Sequence, residues 1–190
     1  DGFDGLASGL VLIAVIGLLG FGLKSDVSSL TNILLALAVA LVPFMFFNVA
    51  PYSKTKVFLG DGGSLFLGFI ISWALIYSSE NIKNFNHSFT LWCVAIPLFD
   101  FFTVVFMRII EKKPLMIAKR DHIHHTLENL GFSRRAVLVI ILFSGIAFLG
   151  IGKLVDDNFP ALSFTLFILL FLCYLSVRIH YSSITKGKWY

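Results

Sequence analysis

The sequence contains few charged residues and only two cysteines. Charged residues make up 14% of its 190 positions, whereas soluble globular domains carry roughly 25%. The chain therefore cannot cover itself with a polar surface, which excludes an ordinary soluble domain. Cys93 and Cys173 both lie in apolar runs, so the sequence offers neither a disulfide framework nor a cysteine-based metal site.

Hydrophobic residues are abundant instead, at 57% of the chain, and phenylalanine alone occurs 21 times. A membrane-spanning helix needs about 20 mostly apolar residues, and its backbone groups must bond within the segment. Six runs meet or approach this length: residues 6–23, 30–49, 64–78, 89–110, 136–155 and 161–179. The sequence predicts an all-α fold, a polytopic integral membrane helix bundle with about six transmembrane helices, as one domain over residues 1–190.

Lysine and arginine gather on one side of these six runs. Only Lys24, Lys83 and Lys153 fall on the far side, and the other 12 of the 15 basic residues share the side of residue 1. Loops with an excess of Lys and Arg face the cytoplasm. The basic side and the C-terminus are therefore predicted to be cytoplasmic.

The first of three polar clusters on this side contains Asp1 and Asp4, at the entrance to the first run. Two carboxylates three positions apart share one face if the segment is helical, and the neighbouring glycines allow a close approach of backbone or ligand. The alternative is a plain N-terminal charge that stabilises the helix dipole.

The second cluster runs from Asn48 to Ser64 and includes Lys56, Phe58 and an aspartate between glycines, Asp61. A carboxylate just before a helix can coordinate a hard cation, and the free N–H groups of the helix start favour phosphate. Lys56 adds positive charge for a polyanionic substrate. The alternative is a glycine-rich turn in which Asp61 or Ser64 is the N-cap.

The third cluster is the histidine loop, Arg120-Asp-His122-Ile-His124-His125. Three imidazoles within four residues favour metal ligation or phosphate contact and proton transfer. Neither a cysteine nor a second group of histidines is placed to complete a tetrahedral zinc site with these imidazoles. Phosphate binding together with Arg120 is therefore the better interpretation. A solvated loop is the alternative.

Asp100 lies inside the fourth apolar run, three residues after Pro97. A carboxylate within a membrane helix is by default functional or paired, and a proline can kink the helix. Three roles are open for Asp100: a catalytic base, a bonding partner between helices and a proton relay. The pairing role is favoured.

Together these motifs resemble those of the polyprenyl-phosphate N-acetylhexosamine-1-phosphate transferases (glycosyltransferase family 4). Asp1-Gly-Phe-Asp-Gly-Leu-Ala is similar to the second acidic motif of that family, and Lys56-Val-Phe-Leu-Gly-Asp-Gly-Gly-Ser-Leu to its third. The His-Ile-His-His form resembles the WecA-type branch. The family's first motif, an adjacent aspartate pair, is absent, so we expect the chain to be the C-terminal part of a longer enzyme and inactive alone.

The resemblance implies transfer of N-acetylglucosamine 1-phosphate from UDP-N-acetylglucosamine to undecaprenyl phosphate, with release of UMP. This would be the first membrane step of O-antigen or enterobacterial-common-antigen type envelope glycan (lipopolysaccharide) synthesis. It implies a bacterial inner (plasma) membrane enzyme with a cytoplasmic active site. Its partners would be the two substrates and the lipid bilayer, and no nucleic acid is expected. Whether the protein forms a homo-oligomer is left open.

The same resemblance implies roles for individual residues. Asp1 and Asp4 match the catalytic or uridine-site carboxylates, and Asp61 matches the ligand of Mg²⁺, with Mn²⁺ as the alternative ion. Phe58 matches the ring that stacks on uracil, and His122, His124 and His125 match the loop near the pyrophosphate. Residue chemistry adds Arg120 and Lys56 as substrate contacts, and Asp100 and Asn48 as structural or unassigned.

Other functions compete with this one. A family member that uses a different UDP-amino sugar would have almost the same sequence motifs. A membrane transporter is motivated by Asp100 and Pro97, but it needs several polar groups near the bilayer midplane and usually inverted repeats. A non-catalytic membrane scaffold would leave the ordered motifs unexplained.

Overall fold

The computed structural model describes residues 3–22, 28–49, 56–82, 85–114 and 121–186. Within these ranges the chain is helical, and no strand occurs. The helices are α1 (Leu6–Gly22), α2 (Ser28–Val49), α3 (Gly60–Asn81), α4 (His87–Cys93), α5 (Ala95–Ile110), α6 (Ile123–Asn129), α7 (Arg134–Asn158) and α8 (Pro160–Lys186). The predicted all-α bundle is thus confirmed.

Four of these helices are long and apolar enough to cross a membrane, namely α2, α3, α7 and α8. The pair α4 and α5 makes a fifth crossing if it counts as one broken span, and α1 is a shorter apolar helix. The predicted count of six is therefore approximate. Large apolar side chains such as Val39, Phe46 and Phe143 are exposed on the outer faces of the bundle, as lipid contact requires.

The predicted fourth span differs most from the structure, because it consists of two helices that meet at 80°. The break lies at Val94, and Pro97 is the third residue of α5. A proline has no N–H to donate to the carbonyl four residues earlier, which here is that of Cys93. The first-turn N–H groups of a helix have no intrahelical partner, so Pro97 is tolerated once a new helix begins.

Aromatic packing holds the break against α7 and α8. Phe99 of α5 contacts the rings of Phe148, Phe167 and Phe171 at centroid distances of 5.0–5.4 Å. Small residues let helices approach closely in a membrane: Trp92 of α4 lies directly over Gly152 of α7, where a Cβ would overlap the indole. These contacts fix α5, which carries Asp100, relative to the last two helices.

Candidate active site

Asn48, the penultimate residue of α2, joins the first two polar clusters. Its Oδ1 accepts a hydrogen bond of 2.5 Å from the backbone N–H of Gly5. Its Nδ2 donates to the carbonyl oxygen of Val57 over 2.8 Å. Because the side chain is buried and uses both its acceptor and its donor, Asn48 positions the two clusters against each other.

The chain turns at Asp4, before α1 begins. Gly5 has a φ of +76°, and a Cβ at this position would lie 2.5 Å from a methyl carbon of Val49. Glycine is therefore required both for its backbone conformation and for the close approach of α2. Asp4 precedes α1, so the condition for a shared helical face is not met there; Asp1 lies outside the described residues.

Lys56 pairs with Asp4 across the two clusters. Its Nζ lies 2.6 Å from Oδ2 of Asp4 and 5.1 Å from the ring centroid of Phe58. The Phe58 ring is 69% exposed. Lys56, which was predicted to contact the substrate, thus forms an ion pair with Asp4, which was predicted to be catalytic. The exposed ring of Phe58 lies beside this pair.

Asp61 lies in the first turn of α3, with its side chain exposed. The N-cap position is Leu59, which makes no side-chain capping bond, and the Ser64 hydroxyl donates to the Asp61 carbonyl oxygen. The alternative interpretation of Asp61 or Ser64 as N-cap is therefore wrong. The Asp61 carboxylate stays available at a helix start, where N–H groups also point outward.

The chemistry of Asp61 fits a Mg²⁺ ligand, although it does not form a closed cage. Across residues 3–22, 28–49, 56–82, 85–114 and 121–186, no group of three or more His, Cys, Asp or Glu side chains forms a metal-binding set. Mg²⁺ in enzymes commonly takes only one or two carboxylates and completes its shell with substrate phosphates and water. A single exposed carboxylate is consistent with that pattern.

Asp100 of α5 holds the start of the histidine loop. Its Oδ1 accepts a hydrogen bond of 2.8 Å from the backbone N–H of Ile123, the first residue of α6. Its Oδ2 lies 2.8 Å from Nδ1 of His122. These contacts give Asp100 the bonding partners that the pairing interpretation requires; a catalytic role for it stays a prediction.

Two arginines bind the residue just before His122. Arg108 of α5 donates from Nε and from its terminal nitrogen to Oδ2 of Asp121, over 3.3 and 3.2 Å. Arg178 of α8 donates to the Asp121 carbonyl oxygen over 2.7 Å. The predicted contact Arg120 lies outside the described residues.

The three imidazoles of the loop have different surroundings. The rings of His122 and His124 are parallel within 3°, with centroids 5.8 Å apart, and His124 contacts the ring of Phe3 at 5.3 Å. His125 pairs instead with Glu128, whose other oxygen pairs with Arg134. The contact between Phe3 and His124 brings the first and third clusters together.

These surroundings shift the pKa values of two imidazoles in opposite directions. The hydrogen bond to the Asp100 carboxylate raises the pKa of His122 above its ordinary value. Burial, followed by the neighbouring imidazoles, lowers the pKa of His124 to about 4. At neutral pH His124 is therefore uncharged, whereas His122 is protonated more readily than an ordinary imidazole.

A cavity of about 720 Å³ connects the clusters to the membrane-spanning part of the bundle. Its walls are mostly apolar residues of α1, α3 and α5, and its polar lining includes Ser64, Asp100, His122 and His124. His125 is not among the lining residues. The cavity therefore combines a long apolar wall with a polar end beside the histidine loop.

The sequence of this chain is similar to a known protein family and to several curated proteins. The model of glycosyl transferase family 4 matches residues 1–79. A probable undecaprenyl-phosphate N-acetylglucosaminyl 1-phosphate transferase of Bacillus subtilis is 32% identical over 149 residues, which cover 78% of this chain and 41% of the relative. The chain belongs to glycosyl transferase family 4.

Relatives from other bacteria extend the family match past the histidine loop. The undecaprenyl-phosphate alpha-N-acetylglucosaminyl 1-phosphate transferase of Yersinia pestis is 32% identical over 92% of this chain and 49% of its own length. The protein of that name from Haemophilus influenzae is 36% identical over 75% of the chain and 42% of its length. This family 4 chain thus spans about half the length of the curated relatives it matches. No solved structure matches it significantly.

Sequence reasoning assigned no site role to Arg108, Asp121 or Arg178, which the structure places around His122. Both arginines are buried and lie at the ends of apolar runs, where they entered the count of basic residues. Ionisable groups in membrane helices usually have a partner or a function. Applied to Arg178, that rule would have pointed to the site, although the partner itself is visible only in three dimensions.

Proposed function

We propose that this family 4 chain carries the active site of an enzyme that transfers N-acetylglucosamine 1-phosphate from UDP-N-acetylglucosamine to undecaprenyl phosphate. The reaction forms a P–O bond between the acceptor phosphate and the sugar phosphate, breaks the bond between the two phosphates of the donor, and releases UMP. The observation that carries the proposal is the apolar cavity that ends at Asp100, His122 and His124. The names of the relatives support the choice of substrates.

The cavity suits an amphiphilic acceptor. An isoprenoid chain fits the apolar walls that α1, α3 and α5 contribute, and a phosphate at its end would meet the imidazoles. His122, with its raised pKa, would supply positive charge there. His124, with a pKa of about 4, would serve as a neutral hydrogen-bonding group.

The donor site would lie around the turn before α1 and the start of α3. Phe58 offers an exposed ring for the uracil, and Lys56 together with Asp4 borders it. Asp61 would hold Mg²⁺, which stabilises negative charge on phosphoryl oxygens when bound. Asp1 and Asp4 are the proposed catalytic carboxylates.

We further propose that this end of the bundle faces the cytoplasm of a bacterium, across its inner membrane. The excess of basic residues on this side supports that orientation, and nucleotide sugars are made in the cytoplasm. The transporter alternative loses its motivation, because Asp100 pairs with the histidine loop and is not isolated within a span.

The test is release of UMP by the intact protein in membranes, with UDP-N-acetylglucosamine and undecaprenyl phosphate. Activity should disappear when divalent cations are chelated and return with Mg²⁺. Asp61→Asn should lower turnover at least about 100-fold, because metal polarisation is worth several kcal/mol. Other UDP-amino sugars, assayed in parallel, identify the preferred donor.

The matched control is Asp157→Asn, since Asp157 is an exposed aspartate of α7 paired with Lys153, far along the chain from the three clusters. It should behave as the unmodified protein does. Full activity in Asp61→Asn would overturn the metal assignment. Absence of UMP release from every UDP-amino sugar would overturn the function itself.

A further inference from the structure

Arg178 of the last helix reaches into the histidine loop. Its side chain is only 8% exposed, although it lies within an apolar helix. A guanidinium in such a position is costly unless it is paired. Its terminal nitrogens contact the Asp121 carbonyl oxygen at 2.7 Å, the Tyr174 hydroxyl at 3.5 Å and Oδ1 of Asp100 at 3.9 Å.

The bond to Asp121 acts on a specific peptide group. The carbonyl of Asp121 belongs to the peptide bond whose nitrogen is that of His122. Asp100 holds the same histidine by its ring and holds the next N–H, that of Ile123. The segment from Asp121 to Ile123 is therefore held from two helices, α5 and α8, at three consecutive residues.

Charged side chains of both signs surround His122 in this segment. Arg108 and Arg178 supply two positive charges, and Asp100 and Asp121 supply two negative ones. The Asp121 carboxylate bonds to Arg108 and its carbonyl to Arg178, so the two arginines do not compete for one acceptor. Removal of Arg178 would leave the Asp121 carbonyl without that donor and would leave Asp100 with one cation fewer nearby.

We propose that Arg178 is a positioning residue that orients His122 for the proposed transfer reaction. Through Arg178, α8 contributes to the active site. The inference rests on the proposed function, because positioning has a kinetic meaning only if His122 contacts a reacting phosphate. Arginine suits the role because its planar fork donates in more than one direction at once. A lysine would keep the charge but could not reproduce the fork.

The test uses the intact protein in membranes with three variants of α8. Arg178→Met removes the charge and the hydrogen bonds to Asp121 and Tyr174. Arg178→Lys keeps the charge, and Ser176→Ala is the control. Ser176 is exposed and its hydroxyl donates to the Leu172 carbonyl of its own helix. For each variant, kcat and the KM for UDP-N-acetylglucosamine are measured, together with the amount of folded protein and its melting temperature.

We expect Arg178→Met to lower kcat by about 100-fold, the scale of a misplaced catalytic group, with the donor KM unchanged. An interaction that matters mainly in the transition state lowers kcat and kcat/KM equally. Arg178→Lys should recover part of kcat, and Ser176→Ala should match the unmodified protein.

Two results would overturn the inference. One is an unchanged kcat in Arg178→Met. The other is an activity loss that only follows the loss of folded protein, with no recovery in Arg178→Lys. Failure of the unmodified protein to release UMP would instead refute the proposed function, so the two failures are distinguishable.

Discussion

At the scale of single residues, the contact between Asp100 and His122 couples the charge of the site to pH. The groups around His122 are Asp100 and Arg108 of α5 and Asp121 and His124 of its own loop, and Arg178 of α8 lies 3.9 Å from Asp100. Of these, the Asp100 carboxylate, which accepts a hydrogen bond from the ring, has the largest effect on the pKa of His122 and raises it. Burial and Arg108 lower that pKa.

This balance predicts the pH dependence of Asp100→Asn. If protonated His122 binds phosphate, activity is present below its pKa and is lost as the pH rises through it. Replacing the carboxylate removes the main cause that raises the pKa, so the alkaline limb of kcat/KM should move to lower pH. His124, with a pKa of about 4, is neutral across this range and does not contribute to that limb.

The measurement is a pH profile of UMP release for the unmodified protein and for Asp100→Asn. Glu80→Gln is the control, because Glu80 is exposed and its imidazole partner, His87, lies outside the site. Its profile should superimpose on that of the unmodified protein. An alkaline limb that stays in place, or moves to higher pH, in Asp100→Asn would contradict the role of His122.

Residues with unusual sequence surroundings could be identified from the sequence, whereas their partners could not. Asp61 between glycines and the run of histidines both stood out by composition. The bond from Arg178 to Asp121 joins residues 57 positions apart, and nothing in the local sequence of either residue specifies the other. Asn48 was named without a role for the same reason.

At the scale of helices, the break between α4 and α5 determines where Asp100 lies. Hydropathy is continuous across residues 89–110, so the sequence predicted one span there. Pro97 indicated a kink, but its position did not reveal that α4 would end at Cys93 and α5 would begin at Ala95. The 80° angle depends on packing against α7 and α8, which no local pattern encodes.

Pro97→Ala tests this break. In a continuous helix an interior proline is unfavourable by about 3 kcal/mol, whereas at the start of α5 it loses no bond. Alanine removes that penalty and so makes a straight α4–α5 helix more accessible, which would displace Asp100 from the histidine loop. We expect turnover to fall while the melting temperature stays equal or rises.

Pro160→Ala is the matched control, because Pro160 is the first residue of α8, a position that either residue fits. Both variants are assayed for UMP release and thermal unfolding in the same detergent. A Pro97→Ala protein with normal turnover would mean that tertiary contacts alone maintain the break. A lower melting temperature would mean that Pro97 stabilises the native helix pair directly.

At the scale of the whole molecule, the polar contacts that join different elements of the described residues gather at two opposite ends of the bundle. One end holds Asn48 with Gly5, and Asp100 with His122. The other end holds Asn86 with the Pro160 carbonyl, and Trp92 with Ser163. The first end contains all the predicted site residues that the structure describes, so its side of the membrane decides which substrates the site meets.

That orientation is the last prediction, and it follows from charge and chemistry together. Because basic loops stay in the cytoplasm, the site end should face inward. Single cysteines are introduced at three exposed positions, His87, Phe132 and Phe159, in the intact protein with Cys93 and Cys173 replaced by alanine. A membrane-impermeant maleimide should label His87→Cys and Phe159→Cys in whole cells, and Phe132→Cys only after permeabilisation. The reverse labelling pattern would put the site outside, where a nucleotide sugar made in the cytoplasm could not reach it.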